Sequence, residues 1–181
     1  MNDEIIDETR EFWDRVAADW DIQVGDTGDR NRMLTSDPVL WSFVGAVSGL
    51  AVLDAGCGEG YMARELASQG ADVLGVDSSA NLIEAAAALT STDGHAPRFL
   101  VSDVADLDVD SDSYDLVLCN HLMNDLRDPS GAIKELARAQ LGIARAGRKA
   151  TGAVIAAVRT AGQSRGRRGA RVVIEGHSAE G

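Results

Sequence analysis

The stretch Val52-Leu53-Asp54-Ala55-Gly56-Cys57-Gly58-Glu59-Gly60 constrains the fold more than any other. Three alternating glycines directly after an apolar strand let the backbone turn tightly and approach a ligand without Cβ obstruction. Such a turn belongs between a buried strand and a helix, and its flanks agree: Leu50 to Leu53 reads as a strand, Tyr61 to Ser68 as a helix. The alternation then continues. Strands are expected over Asp72–Val76, Arg98–Val101 and Asp115–Cys119. Between the first two of these, Ser79 is placed to cap a helix running to about Leu89 with Leu82, Ile83 and Ala86 on one face. Asp128-Pro129 reads as a cap followed by proline, opening a helix whose core face carries Ile133, Leu136 and Ala137. Ahead of the first strand, Asp37-Pro38 repeats that start for a helix ending near Gly49, and Phe12, Val16 and Trp20 with Ala17 mark an amphipathic helix over Glu8–Trp20. Gly25 to Arg32 is polar and reads as a loop.

Strands alternating with helices build a parallel sheet with right-handed crossovers. The expected fold is therefore α/β: a Rossmann-like, doubly wound, mainly parallel sheet in three αβα layers. Ligands on such sheets sit at the carboxyl ends of the strands, near the point where strand order reverses. The chemistry should lie in the loops after Leu53, Val76, Val101 and Cys119.

Length and composition fit one domain. The chain has 181 residues, 45% of them apolar and 25% charged, which excludes a disordered, collagenous or membrane-spanning polypeptide. A net charge of −12 argues against general nucleic-acid binding, which needs an excess of Lys and Arg. The start Met1-Asn2-Asp3-Glu4 is acidic with no apolar core behind it, so no signal peptide is expected. Two cysteines, Cys57 and Cys119, are too few for a disulfide framework and suit a reducing cytoplasm.

The glycine turn narrows the ligand. A lone glycine-rich turn is a weak signal, because several nucleotide-binding folds share it. Here the spacing is G-x-G-x-G, with Tyr61 where a dinucleotide-binding loop would place its third glycine. Asp54 also stands at the strand end, where a pyrophosphate would be repelled and a cation welcomed. Twenty-one residues beyond Gly56, Asp77 closes the second strand, placed either to accept both hydroxyls of a ribose or to cap the next helix. Asp103, after the third strand, is placed to accept from an exocyclic amine such as that of adenine, or is a solvated loop acid.

Taken together, Asp54 to Gly60, Asp77, Asp103 and the strand Tyr114-Asp115-Leu116-Val117-Leu118 resemble the class I S-adenosylmethionine-dependent methyltransferases. The resemblance covers about residues 10–138 and is most specific in 52–78. It implies S-adenosylmethionine as cofactor and methyl transfer to an acceptor, expected to be a small molecule. It implies that Gly56, Cys57, Gly58 and Gly60 pack against the methionine part with Asp54 nearby. By the same resemblance Asp77 with Ser78 holds the ribose, Asp103 and the Val104 amide recognise adenine, and Asn120 flanks the methyl. Trp20 and Asp21 stand where relatives often carry an aromatic-acid pair that lids the site. No metal is required. If the nucleophile must lose a proton, His121 is the candidate base with Asp125 close enough to orient it; otherwise His121 packs in its loop. Asp106, Asp108, Asp110 and Asp112 alternate like calcium ligands, but Ser111 and Val117 stand where an EF-hand needs its turn glycine and closing glutamate. Cys57 and Cys119 read as small buried residues rather than nucleophiles.

The end of the chain departs from this pattern. Residues 1–138 carry a net charge of −18, residues 139–181 a net of +6. Three segments are expected: an N-terminal helical cap over 1–47, the cofactor-binding core over 48–138, and an atypical basic tail over 139–181 with incomplete C-terminal strands. The family's leucine-basic-proline-glycine-glycine turn is absent. Either the tail is read from a shifted frame of a longer gene, or Ala153–Val158 and Arg171–Glu175 are strands that complete a reduced sheet. An incomplete sheet edge would favour self-association. Competing readings are a cofactor-binding protein without catalysis, a nucleic-acid partner acting through the tail, and a nicotinamide oxidoreductase, the last disfavoured by the glycine spacing and Asp54.

Overall fold

The computed structural model describes residues 3–25, 28–30, 32–90, 95–140, 153–158 and 171–175. Two N-terminal helices, α1 (Asp3–Val24) and α2 (Asp37–Val44), precede the alternating part, joined by a single π-helical turn at Arg32–Ser36. There follow β1 (Ala51–Ala55), α3 (Tyr61–Ser68), β2 (Asp72–Asp77), α4 (Ala80–Ala88), β3 (Arg98–Val101), β4 (Leu116–Asn120) and α5 (Pro129–Ala139). Two strands of the tail, β5 (Ala153–Val158) and β6 (Arg171–Glu175), end the series.

The sheet order is β3-β2-β1-β4-β5-β6. All pairings are parallel except β5 with β6. The chain moves outward from β1 to β3, then returns to the other side of β1 as β4, so the strand order reverses between β1 and β4. Their register, Ala55 opposite Cys119, brings the carboxyl ends of both strands level. The Asp115 carboxylate accepts from the Ala51 N–H (2.9 Å) and pins that register at the opposite end. β5 and β6 extend the sheet over the two tail segments that the second reading of the tail marks as strands.

β1 shows why the sheet is covered on both faces. Val52 points into one apolar cluster with Leu40, Val44, Met62, Leu66, Val73 and Leu118. Leu53 and Ala55 point into the other, with Val76, Val117, Ala132 and Leu136. Helices α2 and α3 close the first face and α5 the second, giving the three expected layers. Among the described residues no helix is long and apolar enough to cross a membrane.

Tertiary packing corrects several sequence-based expectations. On α1 the inward face is Ala17 and Val24 with half-buried Trp13 and Trp20, and Phe12 is exposed. On α5 the core face is Ala132, Leu136 and Ala139, whereas Ile133 and Ala137 face solvent. In both helices small alanines, which carry little weight in a hydrophobic pattern, make the close contacts. Helix α2 starts differently as well. Ser36 takes the N-cap position without a side-chain cap bond, Asp37 is the first helical residue, and the helix ends at Gly45 rather than Gly49. Asp37 instead turns inward and accepts from Tyr61 Oη (3.0 Å) and Ser36 Oγ (3.2 Å). The caps at Ser79 and Asp128 are as expected, accepting from Leu82 N–H (3.2 Å) and Gly131 N–H (2.9 Å).

Leu136, fully buried under β1 and β4, tests this layering. Leu136→Ala is expected to destabilise the fold by about 3 kcal/mol through lost burial and a cavity, measured by urea denaturation.

Candidate functional site

The glycine turn runs from the end of β1 into α3 with Gly56, Gly58 and Gly60 all at positive φ (73°, 57° and 80°). Two of the three also lack room for a side chain. A Cβ on Gly56 would sit 2.9 Å from Leu122, and one on Gly60 would sit 2.7 Å from the Phe99 ring. Backbone bonds tie the turn to its neighbour strand, with both Gly56 N–H and Cys57 N–H donating to the Val76 carbonyl (2.8 and 3.0 Å). Asp77 completes the clamp. Its Oδ2 accepts from Gly58 N–H (3.0 Å) and its Oδ1 from Ser79 N–H (2.9 Å), while half-buried Ser78 adds its own backbone N–H. Asp77 is therefore not the cap of α4, a position Ser79 fills, and with three N–H groups accepted its carboxylate keeps one of about four lone-pair sites free.

Burial concentrates negative charge here. Asp54 is 2% exposed, and burial, reinforced by Glu59 and Asp77 and partly offset by Arg32, pushes its carboxyl up to about 7. Burial also raises Glu59, against the pull of its own and the Tyr61 backbone N–H groups, Arg32 and Arg64. Asp77 is raised by burial and by Asp14, and lowered by the three N–H groups it accepts. Among the described residues four buried side-chain polar atoms lack a hydrogen-bond partner, and three of them line this turn: Asp54 Oδ2, Glu59 Oε1 and Asn120 Oδ1. The fourth is a donor, Arg64 Nη2 on α3; native interiors rarely leave such atoms unpaired, and the excess of acceptors points to a cationic or donor-bearing occupant.

A roof of residues from the N-terminal helices covers the turn. Trp20 donates from Nε1 to Glu59 Oε2 (3.1 Å) and packs edge-on against Trp13 (ring centroids 5.2 Å apart). The Arg32 guanidinium lies over both the Trp20 ring and the Tyr61 ring (5.2 and 5.3 Å to the centroids). Further along α1, Asp14 accepts from Ser79 Oγ (2.6 Å) and Asn81 N–H (3.2 Å), fastening the helix to the start of α4. Of the expected aromatic-acid pair, Trp20 faces the turn, whereas the Asp21 carbonyl accepts from Gly25 N–H and closes the helix end.

The remaining expected residues fall around the same rim. Asn120 ends β4, beside the switch point. His121 follows at φ 61°, a left-handed conformation uncommon outside glycine that histidine adopts more readily than most residues, with Nε2 3.4 Å from Ser36 Oγ. Asp103 Oδ1 accepts from Ala105 N–H (2.8 Å), which fixes the loop after β3, and the Val104 side chain enters the core. Cys57 and Cys119 are buried, and burial pushes the Cys57 thiol well up and the Cys119 thiol to about 12. Both are therefore protonated and unsuited to nucleophilic chemistry, as expected. Among the described residues no group of three or more potential metal ligands gathers, and the alternating aspartates 106 to 112 form none.

Sequence reading overlooked Glu59, Arg32, Ser36, Asp37, Tyr61 and Asp14. Only Glu59 carried a signal, as the one ionisable residue between the second and third glycines of the turn. The others lie on elements whose approach to the turn is tertiary.

Comparison with known proteins agrees with this geometry. Residues 53–140 match the methyltransferase domain family. The chain is 26% identical over 136 residues to a ubiquinone biosynthesis O-methyltransferase of Aliivibrio fischeri, a match covering 72% of this chain and 56% of that protein. It thus spans little more than half the length of such curated relatives. In structure it resembles magnesium protoporphyrin IX methyltransferase from Synechocystis, solved with S-adenosylmethionine bound, at a TM-score of 0.64 and 26% identity over 84% of this chain and 74% of that one. A phosphoethanolamine N-methyltransferase of Haemonchus contortus shares the fold over all of this chain and 37% of its own (TM-score 0.71, 23% identity). With its G-x-G-x-G turn, its acid at the end of β2 and its strand order, the matched segment 53–140 has the form of a class I S-adenosylmethionine-dependent methyltransferase domain.

Proposed function

We propose that residues 48–138 bind S-adenosylmethionine across the carboxyl ends of β1, β2 and β4, and that the chain transfers its methyl group to an acceptor of small-molecule size. The observation that carries this reading is the set of unpartnered buried acceptors around a turn in which added Cβ atoms would collide. When bound, the cofactor supplies a methyl group on a positively charged sulfonium, electrophilic without further activation.

The residues present fit that group. Asp54 offers an unpaired carboxylate oxygen to the cationic methionine end. Arg32, held between two rings, is the counter-ion suited to its carboxylate. Gly56, Cys57, Gly58 and Gly60 contribute backbone rather than side chains to the floor. Asp77, with Ser78 beside it, holds the ribose through its remaining lone pair, and Asp103 with the Val104 amide reads the adenine edge. Asn120 flanks the methyl-bearing side.

Residues 1–47 form the cap in this reading, and their apolar and aromatic side chains exclude water from the reacting atoms. Alignment of the acceptor in line with the methyl is then the chief contribution to rate, a term that reaches roughly 7–11 kcal/mol in favourable cases. Where the acceptor atom sheds a proton, His121 receives it. Support comes from the hydrogen-bonded series His121, Ser36 and Asp37, which would hold the charged ring with a carboxylate behind it.

Two outcomes are expected. Calorimetry should show one-to-one binding of S-adenosylhomocysteine, weakened at least about 30-fold in Asp77→Ala by loss of charge-assisted ribose bonds. The absence of binding by folded wild-type chain would contradict the reading. Affinity for the sulfonium cofactor should also rise with pH. Below about 7 Asp54 holds a proton and is neutral; above it the carboxylate is formed and attracts the cation. Titrations between about pH 6 and 8 are expected to show tightening with a midpoint near 7 that is lost in Asp54→Asn.

A further inference from the structure

The connection between β3 and β4, residues 102–115, contains no helix or strand of its own, and a loop of that length in a compact domain calls for specific anchors. Two are ordinary. The side chains of Val104 and Leu107 are buried in the cluster that also holds Leu136 of α5. At the far end, Asp112 N–H and Ser113 N–H donate to the Arg138 and Ala139 carbonyls, each at 2.9 Å. Between these anchors lie Asp108 and Asp110, exposed and of one sign, with exposed Asp106 just before them. Their mutual repulsion favours a looser loop.

The third anchor is the Arg138 side chain, in the last turn of α5, and all five of its guanidinium N–H groups have acceptors. Nε donates to Glu135 Oε2 at 2.9 Å, and Nη2 lies 2.8 Å from the same oxygen, which fixes the plane of the group from its own helix. The loop takes up the rest: Nη1 donates to the Val109 carbonyl (2.8 Å) and to Ser111 Oγ (3.2 Å), and Nη2 donates to the Leu107 carbonyl (3.0 Å). A rigid planar fork can meet three such acceptors at once, whereas a single ammonium on a flexible stem cannot.

Leu107 is tied closely to Asp103. Asp106 N–H donates to the Asp103 carbonyl at 3.0 Å, and Ala105 N–H donates to Asp103 Oδ1 at 2.8 Å. Residues 103–107 therefore move as one turn, and whatever holds the Leu107 carbonyl sets where the Asp103 carboxylate stands. On the cofactor reading proposed above, on which this inference rests, Asp103 and the Val104 N–H read the adenine edge. We infer that Arg138 is a positioning residue for base recognition, holding the Leu107 and Val109 carbonyls so that Asp103 and the Val104 N–H stay at hydrogen-bonding height. Arg138 itself touches no ligand. Discrimination between bases thus depends on a helix that packs under the sheet, because donors and acceptors displaced by even a fraction of an ångström lose their selectivity.

The experiment compares S-adenosylhomocysteine with S-inosylhomocysteine, in which hypoxanthine replaces adenine, by calorimetry on the full chain. Hypoxanthine presents an acceptor to Asp103 and a donor to the Val104 N–H, so wild type is expected to bind it at least about tenfold more weakly. Arg138→Met is expected to weaken S-adenosylhomocysteine at least about fivefold while S-inosylhomocysteine changes less than about twofold, the retained binding of the latter reporting an intact fold. Arg138→Lys, which keeps the charge but not the fork, is expected to lose most of the discrimination as well. Equal weakening of both ligands in Arg138→Met, an unchanged ratio between them, or full discrimination in Arg138→Lys would overturn the inference. Failure of wild-type chain to bind S-adenosylhomocysteine, or to prefer it, would instead strike the cofactor reading itself.

Discussion

A carboxylate taken out of water without a counter-charge is expensive, and Asp54 at the end of β1 is such a group. It is buried on a strand flanked by β2 and β4, one oxygen has no partner, and its neighbours Glu59 and Asp77 have the same sign. A rise from an ordinary 3.8 to about 7 corresponds to a penalty on the order of 4 kcal/mol once the group is ionised. The sign follows directly. Asp54 holds its proton more tightly folded than unfolded, so its contribution favours folding at low pH and is lost as pH rises through about 7. A fold that only needed to be stable would place an apolar residue there. The position makes physical sense as half of an ion pair whose other half arrives with the ligand.

The rest of the architecture serves that position. Reversal of strand order between β1 and β4 opens a crevice at their carboxyl ends, because the crossover helices leave to opposite faces. The glycines bring main chain, rather than side chains, to the floor of the crevice, and Asp77 pins the turn with three N–H bonds while keeping a lone pair free. Helix α1 and the π-helical turn then roof it with Trp20, Arg32 and the Ser36–Asp37 pair. Most of the site is therefore assembled from backbone geometry and two buried charges, and the aromatic groups above exclude water and raise the strength of each interaction.

Local patterns made much of this legible beforehand. Helix α3 and strand β3 were readable to the residue because a glycine turn and a proline bracket them sharply. The acids at 54 and 77 were readable because strand ends in a parallel sheet are where ligands bind. Faces built from alanine were not: Ala132 and Ala139 decide which side of α5 packs, yet the periodic signal came from Ile133, which is exposed. Nor was the roof. Asp37 reads from sequence as a helix cap, and only packing of α2 against α3 turns it toward Tyr61. Arg32 closes a stretch that reads from sequence as a polar loop, whereas it opens the π-helical turn, and its role depends on two rings that approach from elements far apart in the chain. Such contacts arise from tertiary geometry, which a one-dimensional pattern does not encode.

The trade between stability and ligand charge at Asp54 is open to a single direct measurement: thermal melting of wild type and Asp54→Asn at about pH 8, with and without saturating S-adenosylmethionine. Removing the buried charge should raise the melting temperature of the unliganded chain by several degrees, since roughly 2–4 °C accompanies each kcal/mol in a chain of this size. The stabilisation that the cofactor confers on wild type should at the same time shrink or vanish in the variant. A variant that melts lower than wild type without ligand, yet keeps the full cofactor-induced shift, would contradict the account.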